Sequence, residues 1–173
     1  NYVAGGVINA NTWYVTQVPL LDIGLSQTDL VTRVAIESNV AMTAYYDDVR
    51  FTSIVAEGTP PVIYRDKLNR STTSGWINSS WGTTVDFASF QRVHTGQYSI
   101  AADVQSPWAG LSFTGAQEFD RVQTGALRFA FQAESAGQDL FLVVYGRNGA
   151  VLLNTPVTTF IPGGVIGQGT WYQ

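Results

Sequence analysis

The sequence predicts an all-β fold of the antiparallel sandwich or barrel type, and three observations predict it. Apolar residues alternate with polar or small ones over short runs. Turn residues separate these runs at intervals of roughly 8–12 residues. No long segment carries the 3.6-residue period of an amphipathic helix.

The runs fall in order along the chain. Tyr98, Ile100, Ala102 and Val104 alternate, as do Leu127, Phe129 and Phe131. In residues 138–145, Leu140, Leu142 and Val144 share one face and Phe141, Val143 and Tyr145 the other, a pattern expected of a strand buried on both sides. Turns are expected at Thr95-Gly96, Ser106-Pro107, Ala136-Gly137, Asn148-Gly149 and Pro162-Gly163-Gly164. Residues 20–30 hold cap-type Asp22, Ser26 and Asp29 and suit a short helical turn. Residues 53–61 end in Gly58-Thr59-Pro60-Pro61 and read as a linker.

Composition narrows the function classes. The 173 residues suit one domain with a sizeable core. Cysteine is absent, so neither disulfides nor thiolate metal sites are available. A net charge of −4 and a single lysine, Lys67, argue against nucleic acid as a partner. No apolar run approaches the roughly 20 residues of a membrane-spanning helix, so no membrane insertion is expected. A polar but weakly charged surface (13% charged residues) fits an extracellular or cell-surface protein. The chain starts without Met and without a basic-then-apolar leader, as expected of a processed protein or an excised fragment.

The two ends repeat one another. Residues 5–14 lie over residues 163–172 at an offset of 158, with seven of ten positions identical, Trp13/Trp171 and Tyr14/Tyr172 among them. Both ends then mark the same point of one repeating unit, so the chain is expected to be cut in mid-domain.

Two stretches resemble a carbohydrate-binding module of the galactose-binding-like jelly-roll superfamily. Val62-Ile63-Tyr64-Arg65-Asp66-Lys67-Leu68, then Gly75-Trp76, then Val93-His94-Thr95-Gly96-Gln97-Tyr98 and Trp108-Ala109-Gly110-Leu111, resemble its opening and middle strands. Thr12-Trp13-Tyr14-Val15 and Ala44-Tyr45-Tyr46-Asp47-Asp48-Val49-Arg50-Phe51 resemble its closing strands. The resemblance implies an antiparallel β-sandwich jelly roll with permuted strand order. Residues 1–54 would be closing strands, 55–61 a linker, and 62–173 opening and central strands. Two arrangements satisfy this order: the closing strands complete their own chain, or those of the next chain by exchange. Pro60 and Pro61 disfavour a tight reversal and tilt the expectation toward exchange. The exchanged segment would seat through Trp13, Tyr45, Val49, Phe51 and Trp171 and would build a filament from copies of the chain.

Sites follow from these placements. Period-2 alternation puts Asp47 on one face with Val49 and Phe51, hence inward, and Asp66 on one face with Tyr64 and Leu68. Two inward carboxylates on neighbouring strands call for a cation or for protons. The resemblance implies a structural Ca²⁺ there, held by Asp47, Asp66 and the Gly96 carbonyl. Trp76 and Trp81 flank a polar loop and are the candidates for stacking on polysaccharide, whereas Trp108 is expected in the core or at its rim. Asn69-Arg70-Ser71 and Asn78-Ser79-Ser80 match the glycan-acceptor pattern at Asn69 and Asn78. His94, the single histidine, lies in a turn, and no Ser-His-Asp or Cys-His arrangement is present. A non-catalytic role is expected: a head-to-tail structural subunit or, alternatively, a carbohydrate-binding module excised from a tandem-repeat secreted protein.

Overall fold

The computed structural model describes residues 11, 13–20, 25, 29–52, 62–71, 75–120, 125–134 and 140–160. Their ten strands are β1 (Trp13–Pro19), β2 (Leu30–Ser38), β3 (Met42–Thr52), β4 (Trp76–Asn78), β5 (Thr83–Ser89), β6 (Ser99–Val104), β7 (Ala109–Asp120), β8 (Ala126–Ala133), β9 (Leu140–Tyr145) and β10 (Val151–Pro156). No α-helix occurs among the described residues; two short 3₁₀ turns cover Arg147–Gly149 and Val157–Phe160. The strands form two five-stranded antiparallel sheets, ordered β1-β8-β3-β6-β5 and β10-β9-β2-β7-β4.

The sheets pack face to face, as the sequence predicts for a sandwich. Tyr46, Phe51, Ile100, Phe129 and Phe131 of the first sheet meet Val34, Ile36, Leu111, Phe113 and Leu142 of the second in one buried cluster. Burial of a large apolar side chain contributes about 1.5–3 kcal/mol, so this layer is the main source of stability. Trp76 is wholly buried, with its ring 5.9 Å from Phe51 of the opposite sheet.

The middle strand of each sheet comes from the first 52 residues. β3 lies between β8 and β6, and β2 between β9 and β7. Residues 62–71 then return beside β3: Val62 bridges Arg50, and the Ile63 and Tyr64 amides both donate to the Val49 carbonyl at 2.9 Å. Within this chain β3 and residues 62–64, on either side of residues 53–61, are therefore direct neighbours. Residues 53–61 themselves lie outside the described residues, as do the turns expected at Ala136-Gly137 and Pro162-Gly163-Gly164, most of residues 20–30, Trp171 and most of the repeated ends.

One irregularity corrects a face assignment. The β3–β8 register shifts between Asp47 and Arg50, and Asp48 has a φ of 51°. Such a bulge adds a residue and reverses the alternation beyond it. Ala44 and Tyr46 face the core before the bulge, and Val49 and Phe51 after it. Asp47 therefore lies on the outer face with Tyr45, not on the inner face with Val49 and Phe51. It is 0% exposed all the same, because a loop covers it.

Candidate functional site

The outer face of the second sheet carries side chains that a solvated face rarely assembles. Register places Arg33 opposite Tyr145 on one side and Thr114 on the other, and Glu37 opposite Phe141 and Gly110. The edge strand continues past β4 to a bridge between Trp81 and Gly110. Alternation puts Ile77, Ser79 and Trp81 on the same outer side. Ala35, Ser112 and Gly110 form a low floor between these larger groups. A Cβ on Gly110 would press on the Ile36 carbonyl oxygen and on Glu37, so only glycine lets Glu37 lie flat there.

Above this floor the groups converge. The Arg33 guanidinium lies 3.7 Å from the Tyr145 ring centroid and 5.3 Å from that of Trp81. The Tyr145 hydroxyl donates to Glu37 Oε1 at 3.1 Å. Burial pushes the Glu37 carboxyl above its ordinary range, partly offset by that hydrogen bond and by the Arg33 charge. Ser79, Ser112 and Thr114 join their hydroxyls at 3.0 and 2.9 Å alongside.

Trp108 closes one end. It has a φ of 63°, a region a bulky residue enters at a cost on the order of 1–3 kcal/mol. Its amide donates to the Ser38 carbonyl at 2.7 Å, and its carbonyl accepts the Trp81 indole N–H at 3.0 Å. With both peptide groups fixed, the side chain projects outward, 55% exposed, its ring 5.2 Å from Phe141.

Of the two tryptophans expected to stack on sugar, only Trp81 reaches the outer face. Trp76 offers no face to a ligand: it is buried at an inward position of β4. Trp81 stands five residues on along an extended segment, and an odd spacing sends it to the opposite side of the sheet. Trp108 lies on the rim rather than in the core. The sequence pattern assigned no binding role to Arg33, Glu37, Phe141 or Tyr145. Their signal was the apolar row Phe141, Val143 and Tyr145, read as a second buried face of a strand.

Asp47, Asp66 and Gly96 do come together, around residues 93–98, but as a clamp of another kind. Asp47 Oδ2 accepts the His94 and Thr95 amides at 3.1 and 3.0 Å, and its Oδ1 accepts the Asp48 amide at 2.8 Å. Asp66 Oδ1 accepts the Gln97 and Tyr98 amides at 2.6 and 2.9 Å. Gly96, with a φ of 76°, lies against the Asp66 carboxylate, where a Cβ would collide with it. Backbone N–H groups hold lone pairs that a cation would need, and among the described residues no three His, Cys, Asp or Glu gather into a metal-sized group. This donor set does not fit the expected Ca²⁺. The amide hydrogen bonds hold the Asp66 carboxyl below its ordinary range. Burial pushes Asp47 up against the opposing pull of its own amide bonds. His94 Nδ1 lies 3.7 Å from Asp48 Oδ2.

The two acceptor motifs differ. The Asn69 amide nitrogen donates to the Val62 carbonyl at 3.0 Å, whereas Asn78 is exposed and its Oδ1 accepts the Ser80 amide and hydroxyl at 3.1 and 2.6 Å. Of the residues assigned to assembly, Val49 and Phe51 fill the core of their own chain. The Tyr45 hydroxyl bonds Gln91 and Glu134, both at 2.9 Å. Trp13 pairs with Gln132 of the same chain. No family model, curated protein or solved structure matches the chain.

Proposed function

We propose that the chain is a non-catalytic, extracellular carbohydrate-binding module, a galactose-binding-like jelly roll with permuted strand order, whose ligand lies on the outer face of the second sheet. The observation that carries this reading is Trp108. A large aromatic side chain held outward from a strained backbone, beside a polar and aromatic cluster, suits stacking on a sugar ring while charged groups bond its hydroxyls. The test is affinity electrophoresis through gels containing a broad panel of polysaccharides. The protein is retarded by at least one of them, and Trp108→Ala abolishes the retardation without moving the melting temperature by more than a few degrees. A natively folded protein that migrates freely through every gel rejects the reading.

Head-to-tail strand exchange between copies is the second reading, and the repeat of residues 5–14 at 163–172 favours it. An exchanged assembly would reuse the pairings of β1, β2 and β3 between chains. Light scattering after size exclusion separates the two: a monomer mass at micromolar concentration rejects the filament.

A further inference from the structure

The outer face of the second sheet holds a cation that lacks a bonded anion. Arg33 is half-buried, and its Nε is buried without a hydrogen-bond partner among the described residues. Among those residues Arg65 pairs with Asp48 and Arg147 with Glu118, and His94 lies beside Asp48; Arg33 is in none of these contacts. Glu37 shares its strand and face, yet its Oε1 accepts the Tyr145 hydroxyl instead. A charge drawn out of water is ordinarily paired; here the guanidinium stacks on Tyr145 beside Trp81, and the Tyr145 hydroxyl and the Glu37 charge act on it, but among the described residues no carboxylate lies within ion-pair distance.

We infer that the ligand is an acidic glycan whose uronate carboxylate seats on Arg33, an inference that rests on the carbohydrate-binding reading. A carboxylate is planar and matches the guanidinium fork with two parallel hydrogen bonds, while the two rings hold that fork in one plane. Trp81 and Trp108 then flank the sugar ring that bears the acid. Glu37 is the opposing charge: it lies beside the seat and repels a second carboxylate. The overall charge of −4 disfavours approach of a polyanion, so selectivity comes from the local cation.

The test compares polygalacturonate with its fully methyl-esterified form by isothermal titration, since the two share a backbone and differ in charge. The acid form is expected to bind at least ten-fold more tightly, with the difference shrinking between 50 and 500 mM salt (roughly 14 Å to 4 Å of Debye length). Arg33→Gln abolishes the preference and Arg33→Lys restores part of it. Glu37→Gln keeps an acceptor for Tyr145, removes the like charge, and tightens binding of the acid form several-fold. Equal binding of acid and ester, or weaker binding by Glu37→Gln, overturns the inference and leaves the carbohydrate reading standing. Binding to neutral galactan but not to polygalacturonate, alginate or glucuronoxylan does the same. Binding to no polysaccharide at all overturns both. If Arg33→Gln fails to fold, the ester comparison and Glu37→Gln still decide.

Discussion

Asp47 and Asp66 grip one loop, yet burial and hydrogen bonding move their acidities in opposite directions. Asp66 has a depressed folded-state pKa. Its contribution is present above the unfolded value and lost as pH falls through the folded one. Asp66→Asn is therefore expected to melt below wild type at pH 7, with the gap closing towards pH 3; a gap that does not change with pH contradicts this. Asp47 has a raised pKa, so its protonation favours the folded state, and acid does not release its side of the loop. Asp47→Asn turns an amide NH₂ toward groups that donate, a mismatch expected to cost about 1–3 kcal/mol in urea unfolding. Excess chelator should leave the wild-type melting curve in place, because amides rather than a cation meet these carboxylates. At Trp108 the backbone and the side chain pull apart: Trp108→Gly relieves the left-handed backbone and is expected to hold or raise the melting temperature while removing glycan retention.

Among the elements, what could be read in the sequence depended on whether a strand kept its alternation. β8 and β6 keep it, and the core positions Leu127, Phe129, Phe131, Ile100, Ala102 and Val104 were legible from period 2 alone. The Asn148-Gly149 turn between β9 and β10 was legible too: both residues have positive φ, 58° and 74°, as a two-residue hairpin of this hand requires. Asn148→Ala should cost about 1 kcal/mol, measured by chemical denaturation. β3 was legible as a strand with Val49 and Phe51 inward, but its bulge was not, because Asp47-Asp48 permits a bulge without announcing one, and the bulge moves Asp47 to the outer face. β9 was half legible. Its even positions are core, but its odd row is the floor and wall of the candidate site, since apolar composition does not distinguish a buried second face from a binding face. Gly110 was legible only as a small residue. Its close approach to Glu37 depends on a pairing across β2 and β7 that no local pattern encodes, and Gly110→Ala is expected to lose about 1–3 kcal/mol together with ligand binding.

For the whole molecule, β2 and β3 are the central strands of two sheets whose remaining members, β1 apart, lie after residue 62. Removing residues 1–52 would strip both sheets of their middle, and the remainder is expected to give the circular dichroism of an unfolded chain. The same layout has a consequence for biosynthesis. None of the first three strands pairs with another of the three; β3 needs β6 and β8, β2 needs β7 and β9, and β1 needs β8. As the chain leaves the ribosome, the segment through Thr52 emerges with no strand partner until Val104 has been made, the short bridge from residues 62–64 to β3 apart. At about 5–20 residues per second that interval is on the order of 3–10 s, during which Val34, Ile36, Tyr46 and Phe51 are open to any other nascent or unfolded chain. A ribosome stalled with β6 still inside its exit tunnel should thus carry a protease-sensitive, chaperone-bound N-terminal segment, and one stalled after β9 has cleared the tunnel a protected one.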